Sequence, residues 1–198
     1  MKLGLTGSIA CGKSTVSAYL ASLGCAIVDA DAISRALTAD GGAALPAVRQ
    51  AFGDGVFCGD SLDRRVLGQL VFSDSQKRDE LNAILHPLIL REITRQLDAF
   101  DAPERLVIGD IPLLYECDMQ TLFDAVWVVS VPRETQIQRL AQRDGLDRTQ
   151  AERRIDAQMP LSQKEKLADA VIHTDGTIEQ TQRQIDALLC RLAQRRKP

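Results

Sequence analysis

Apolar residues recur along the chain in two rhythms. Near-continuous apolar runs, the pattern of strands buried on both faces of a parallel sheet, occur at Lys2-Leu3-Gly4-Leu5-Thr6 and at residues 124–131, whose core reads Ala125-Val126-Trp127-Val128-Val129. Residues 25–31, 105–110 and 168–172 carry the same signal, which gives five expected strands. Between the first two, Val16, Tyr19, Leu20 and Leu23 fall on one helical face, and Gly24 ends it. From residue 32 to 100 the spacing is helical but interrupted. Leu62, Val66, Leu67, Leu70 and Val71 form one stripe, and Leu81, Ile84 and Leu85 a second. Leu88, Ile89, Ile93 and Leu97 form a third beyond a break expected at Pro87. Ser73-Asp74-Ser75-Gln76 reads as a helix cap with a Gln three residues on. Roughly seventy residues of helix between two strands exceed an ordinary crossover.

Residues 133–160 are rich in arginine: Arg133, Arg139, Arg143, Arg148, Arg153 and Arg154. Ile137 and Leu140 mark one short helix, Asp147 with Gln150 caps a second, and Pro160 is expected to close it. Two charged helices with little apolar surface suit a mobile lid over phosphates. Ile178, Thr181, Ile185, Leu188, Leu189 and Leu192 make the closing helix. The expectation is an α/β fold with a five-stranded parallel sheet flanked by helices. Its nucleotide-binding core takes residues 1–30 and 104–198, including a small helical lid at about 133–160, and residues 31–103 form a helical insertion.

Chemistry enters at Gly7-Ser8-Ile9-Ala10-Cys11-Gly12-Lys13-Ser14, which is G-x-x-x-x-G-K-S between a strand and a helix, the P-loop pattern. The glycines let successive N–H groups curl around a phosphate, and Lys13 brings a charge to it. Ser14 offers a hard oxygen for Mg²⁺, and the following helix points its free N–H groups at the same place. Residue 110 ends the third strand as an acid, as in a Walker B strand that supports Mg²⁺. Asp29 and Asp31 are two apart; on an extended chain they face one side, beyond the carboxyl end of a strand where ligands sit in open α/β sheets. Their other reading is as helix-capping or turn aspartates. Cys11 reads either as a thiol activated by Lys13 or, the reading preferred, as a small residue contributing its backbone N–H.

Composition narrows the class. Across 198 residues, 45% hydrophobic and 26% charged, a net charge of −3 offers no basic field for nucleic acid, and no apolar run approaches a membrane span. The first strand begins at residue 2, so no export signal is expected. Five scattered cysteines without C-x-x-C spacing then suggest free thiols in a reducing cytosol. His86 and His173 are too far apart for a zinc site. The lone asparagine, Asn82, is not in an N-K-x-D context and no L-S-G-G-Q run occurs, which disfavours a GTPase switch or a transporter ATPase.

Several segments in order resemble the dephospho-coenzyme A kinase family across nearly the whole chain. They are the P-loop, Asp29-Ala30-Asp31, Leu85-His86-Pro87, Asp110-Ile111-Pro112-Leu113-Leu114-Tyr115-Glu116 and Gln138-Arg139-Leu140 running into Arg143-Asp144-Gly145-Leu146. Ala157-Gln158-Met159-Pro160 and Ala168-Asp169-Ala170-Val171-Ile172 complete the set. The resemblance implies a P-loop kinase fold that moves the γ-phosphate of ATP, with Mg²⁺, to the ribose 3′-hydroxyl of 3′-dephospho-coenzyme A. By resemblance Asp31, Lys13, Arg139 and Arg143 are catalytic, and Gly7, Ala10, Cys11, Gly12, Lys13, Ser14 and Thr15 bind ATP. Asp29, Asp31, Arg65, His86, Leu114 and Glu116 bind the acceptor, and Ser14 and Asp110 serve the metal. The implied protein is cytoplasmic, a monomer or weak homo-oligomer with no nucleic-acid or membrane partner. The alternative is another P-loop small-molecule or nucleoside monophosphate kinase. Two departures stand out: Ser8 and Ala10 where the family often has Gly, and Thr174 where it usually has an Asn at the adenine end.

Overall fold

The computed structural model describes residues 1–100 and 105–195. Strands are β1 (Lys2–Gly7), β2 (Ala26–Asp29), the short pair β3 (Phe57–Cys58) and β4 (Ser61–Leu62), β5 (Val107–Asp110), β6 (Ala125–Ser130) and β7 (Ala170–His173). Helices are α1 (Lys13–Ser22), α2 (Ala30–Leu37), α3 (Leu45–Phe52), α4 (Arg64–Ser73), α5 (Ser75–Ala99), α6 (Arg133–Asp144), α7 (Arg148–Asp156), α8 (Leu161–Leu167) and α9 (Ile178–Arg195). They group into two compact units, Met1–Val28 with Phe100–Pro198, and Asp29–Ala99.

The first unit is organised by a five-stranded parallel sheet in the order β2-β5-β1-β6-β7. Leu5 of β1 lies opposite Asp110 of β5 on one side and Trp127 of β6 on the other, and Ser130 of β6 lies opposite His173 of β7. Every residue of β6 is buried, as its unbroken apolar run requires. Leu3, Leu5, Trp127, Val129 and Ile172 share one cluster with Val16 and Leu20 of α1 and Ile185 of α9. Each fully buried Leu or Ile in that layer contributes about 1.5–3 kcal/mol of transfer free energy.

The second unit gathers α2 to α5 and the β3–β4 hairpin around Ala44, Val48, Val56 and Leu67. The hairpin has no counterpart in the sequence reading. Pro87 does not break the helix: α5 runs unbroken from Ser75 to Ala99 with the proline inside it. A proline removes one N–H and crowds the carbonyl four residues back. Here Leu81, Ile84, Leu85 and Leu88, on both sides of it, pack on the same cluster and hold the helix together. The cap also moves by one residue. Asp74, not Ser73, accepts from the Gln76 and Lys77 amides at 2.8 and 3.2 Å, while the Ser73 hydroxyl donates back into α4.

Two further expectations change. β2 ends at Asp29, whose carboxylate accepts from the Ala32 amide at 2.9 Å and caps α2. Asp31 is therefore in the first helical turn, not on an extended chain beside Asp29. The arginine-rich helices are not short of apolar surface either. Ile137 and Leu140 of α6 meet Ala151 and Ile155 of α7, with Ile9, Ala10 and Leu146 packed on them. The Asp147–Gln150 capping box at the start of α7 is present, with both of its bonds. Pro160 leads into a further helix, α8, instead of closing the region.

Candidate active site

Chain order around the sheet fixes where a ligand sits. From β1 the chain leaves toward β2 on one side, and from β6 it leaves toward β7 on the other. A crevice opens at the carboxyl ends of neighbouring strands whose connections part in this way. Residues 8–12 follow β1 at that point and lead into α1, whose amides and partial positive charge face the crevice. Gly12 caps α1 in the left-handed region at φ 86°, where only glycine is unstrained. Gly7 is needed for space: a Cβ there would stand 2.5 Å from the Cys11 Sγ and 2.7 Å from the Val129 carbonyl. Ala10 takes a left-handed φ of 60° without glycine's freedom, a local cost of about 1–2 kcal/mol.

The outer side of the loop is held by side chains from distant segments. The Gly7 carbonyl accepts from the Lys164 ammonium at 3.4 Å, the Ile9 carbonyl from Gln136 at 2.7 Å and the Ala10 carbonyl from Arg139 at 3.2 Å. The Cys11 carbonyl accepts from the Thr174 hydroxyl at 2.5 Å. Gln158 Oε1 takes the Ile9 amide at 2.8 Å and the Ser8 hydroxyl at 3.1 Å. With its carbonyls bound outward, the loop keeps the helix-side amides for an anion. A cavity of about 530 Å³ opens there, lined by Gly12, Ser14, Thr15, Arg139, Arg143 and Thr174 among others.

Within the first unit the structure brings together most of the expected donor-side residues. Lys13 forms an ion pair with Asp110, its ammonium donating to Oδ1. Ser14 and Thr15 are exposed at the cavity. Arg139 is engaged from inside, donating to Thr174 O at 2.6 Å as well as to Ala10. Arg143 is exposed and forks onto Asp144 at 2.8 and 3.0 Å. Cys11 is buried, and burial pushes its thiol above the usual range despite Lys13 nearby, which fits the backbone reading and not the reactive one.

The acceptor-side expectations fare differently. Leu114 has no exposed surface, and a Cβ on Gly4 would meet its Cδ1 at 2.7 Å, so its side chain belongs to the core and not to a binding surface. Glu116 is turned inward: Oε1 forms an ion pair with Lys164 at 2.8 Å and accepts from the Met159 amide at 3.0 Å, and Oε2 is buried without a hydrogen-bond partner. In the second unit, Asp31 is exposed in α2, Arg65 exposed in the first turn of α4 and His86 exposed on α5. Thr174 is a buried tie between the P-loop, Arg139 and Ser130.

Lys164, Gln136 and Gln158 were not singled out by sequence reasoning as site residues. Gln158 lies in the Ala157-Gln158-Met159-Pro160 segment, which is a pointer. Lys164 and Gln136 sit among ordinary polar helix residues and carry none.

A phosphate-shaped loop at the switch point of a parallel sheet marks the P-loop kinases, and this chain has their fold. Within that class it belongs to the dephospho-CoA kinase family, whose model matches residues 1–180. A dephospho-CoA kinase of Shouchella clausii is 44% identical over 191 residues, 95% of this chain and 97% of that one. A crystal structure from Thermus thermophilus superposes with a TM-score of 0.82 at 36% identity, over 97% of both chains. Dephospho-CoA kinase from Campylobacter jejuni does so with a TM-score of 0.67 at 28% identity, over 95% of both.

Proposed function

We propose that the protein phosphorylates 3′-dephospho-coenzyme A. It transfers the γ-phosphate of ATP to the ribose 3′-hydroxyl and releases coenzyme A and ADP, the last step of coenzyme A synthesis. The observation that carries the reading is membership of the family over residues 1–180, joined to a P-loop already shaped for phosphate. The other acceptors first considered, such as nucleoside monophosphates, are not favoured by that family.

On the donor side the loop amides and α1 receive the phosphates, and Lys13 exchanges Asp110 for a phosphoryl oxygen. Arg143, exposed at the cavity, is free to leave Asp144 for the transferring group, whereas Arg139 mainly holds Ala10 and Thr174 in place. No cluster of three or more His, Cys, Asp or Glu side chains fit for a metal occurs among the described residues. Mg²⁺ does not need one, because it keeps several waters and takes few protein oxygens beside phosphate. The Ser14 hydroxyl and the Asp110 carboxylate fit that requirement, and a bound Mg²⁺ would neutralise phosphate charge.

On the acceptor side Asp31 would hold the 3′-hydroxyl. A carboxylate is a weak base for an alcohol, so orientation is its main contribution and proton transfer is late. Asp29, Arg65 and His86, with the helical unit 29–99, are assigned to the rest of the acceptor. Five free cysteines fit a reducing cytoplasm, and no helix among the described residues is long and apolar enough to cross a membrane. A monomer or weak homo-oligomer with a small-molecule substrate completes the reading.

The test is acceptor-dependent ADP release from Mg-ATP. Dephospho-coenzyme A should stimulate it strongly, and Asp31→Asn should lower kcat by about 10²-fold with little change in the KM for ATP. Release that dephospho-coenzyme A does not stimulate, or that a monophosphate stimulates more, overturns the proposal.

A further inference from the structure

Lys164 is a charged side chain with no exposed surface, and nothing in the reaction described above uses it. Its ammonium donates to Pro112 O at 2.9 Å and Gly7 O at 3.4 Å and forms an ion pair with Glu116 Oε1 at 2.8 Å, so three groups share its charge. A buried ion pair is a poor way to stabilise a fold, because desolvating each ion costs several kcal/mol and apolar residues of the same volume often do as well. The position of the three groups suggests another purpose. Gly7 is the first residue of the P-loop motif, while Pro112 and Glu116 follow Asp110 on the segment leaving β5. One ammonium therefore joins the loop that carries Lys13 to the segment that carries Asp110.

The neighbourhood reinforces the joint. Thr6 donates its hydroxyl to the same Pro112 carbonyl at 3.0 Å. The Met159 amide binds the same Glu116 oxygen, and the adjacent Gln158 holds Ser8 and Ile9. Residues 158–164 thus form a bracket behind the loop, with Lys164 as its charged end. Glu116 Oε2, buried and without a partner, shows that the carboxylate is placed for Lys164 and Met159 at the expense of its own hydrogen bonding.

We infer that Lys164 is a positioning residue for phosphoryl transfer: through Gly7, Pro112 and Glu116 it sets the P-loop, and with it Lys13, against Asp110. It touches no reacting atom. The inference rests on the kinase reading only for its rate measurement, since its effect on nucleotide binding is read without the acceptor.

Lys164→Met alone leaves a buried unpaired carboxylate, so Lys164→Met/Glu116→Gln is made beside it, and Lys164→Arg as the charge-retaining variant. Urea unfolding, ATP affinity by calorimetry without acceptor, and kcat with both KM values are measured. The double variant should keep a urea midpoint close to wild type and lose about tenfold or more in both ATP affinity and kcat, the usual scale for a lost supporting contact. Its KM for dephospho-coenzyme A should stay within about threefold, and Lys164→Arg should recover part of the ATP affinity. A folded double variant with ATP affinity and kcat within twofold of wild type overturns the inference. So does a loss spread equally over both substrates, which would mean general loosening. Should every variant fail to fold, ¹⁵N NMR of the wild-type lysine ammonium groups decides. The Lys164 signal must shift when ATP binds, and an unmoved signal overturns the proposal. If wild-type protein binds ATP but ignores dephospho-coenzyme A, the acceptor assignment fails while the nucleotide-affinity comparison still judges Lys164.

Discussion

Asp110→Asn separates two roles of one carboxylate: partner of Lys13, and metal oxygen in the proposed reaction. Lys13 is paired with Asp110, and the two side chains are only 16% and 9% exposed. A nucleotide that needs the Lys13 charge must first take it from Asp110, so the pair opposes binding. Asparagine has the same shape and keeps an oxygen for the ammonium, but removes the charge. A hydrogen bond to a charged group contributes about 1.5–3 kcal/mol, and losing one of the two charges moves the pair from the upper toward the lower part of that range, so the opposing contribution falls by about 1 kcal/mol. The Coulomb ceiling, about 4 kcal/mol at 4 Å and an effective dielectric of about 20, leaves room for that figure after desolvation. At 1.4 kcal/mol per factor of ten, the variant should bind ATP about fivefold more tightly when no divalent metal is present. Calorimetric titration in EDTA measures this directly. With Mg²⁺ restored, acceptor-dependent ADP release should fall by about 10²-fold, because the metal loses its protein carboxylate. Tighter metal-free binding joined to slower turnover is an outcome that a merely damaged site cannot produce. A folded variant whose metal-free ATP affinity is unchanged or weaker refutes the exchange.

Other consequences are equally open to measurement. Burial, with the Asp169 charge second, pushes Tyr115 up to about 12 from an ordinary value near 10, so the denatured state ionises first as pH rises. Its contribution is complete below about pH 10 and is lost toward pH 12. Tyr115→Phe should flatten that alkaline loss by up to about 2 kcal/mol in urea melts, and identical slopes in the two proteins would reject it. The same change removes a buried hydroxyl that has no hydrogen-bond partner, so stability near neutral pH should hold or rise. Cys11→Ser should leave ATP affinity within a few fold, because the carbonyl of residue 11, not its thiol, meets Thr174. In the native protein a thiol reagent should modify exposed Cys58 and Cys190 far faster than buried Cys11; labelling of all three at one rate would contradict the burial.

Much of the fold was legible because its signals are local. Strands buried on both faces must be apolar throughout, so β1 and β6 stand out in the sequence, and the capping box of α7 is spelled by Asp147 and Gln150 alone. Failures arose where distant packing overrides a local rule. Pro87 carries a breaking signal, yet leucines and isoleucine on both sides pack on one cluster and keep α5 whole. Leu161-Ser162-Gln163-Lys164-Glu165-Lys166-Leu167 is too short and too polar to read as a helix, and what seats it is a buried ammonium bonding to Gly7 and Pro112. Asp29 and Asp31 followed a period-two rule that ceased to apply at the strand's last residue.

The candidate site divides along the same line. G-x-x-x-x-G-K-S specifies the phosphate-facing side of the loop, since each fixed residue supplies either backbone freedom or a group for the ligand. The reverse side is built by residues 127 to 163 positions away: Gln136 on Ile9, Arg139 on Ala10, Gln158 on Ile9, Lys164 on Gly7 and Thr174 on Cys11. None of these bonds has a spacing rule, because any side chain of suitable reach could satisfy a backbone carbonyl or amide. Thr174 makes the point concretely. Judged as an exchange for an asparagine, it is the loss of an amide toward adenine. In the structure its hydroxyl lies 2.5 Å from the Cys11 carbonyl and its own carbonyl takes Arg139 at 2.6 Å. The residue that looked like a defect in base recognition is part of the framework that holds the phosphate loop in shape.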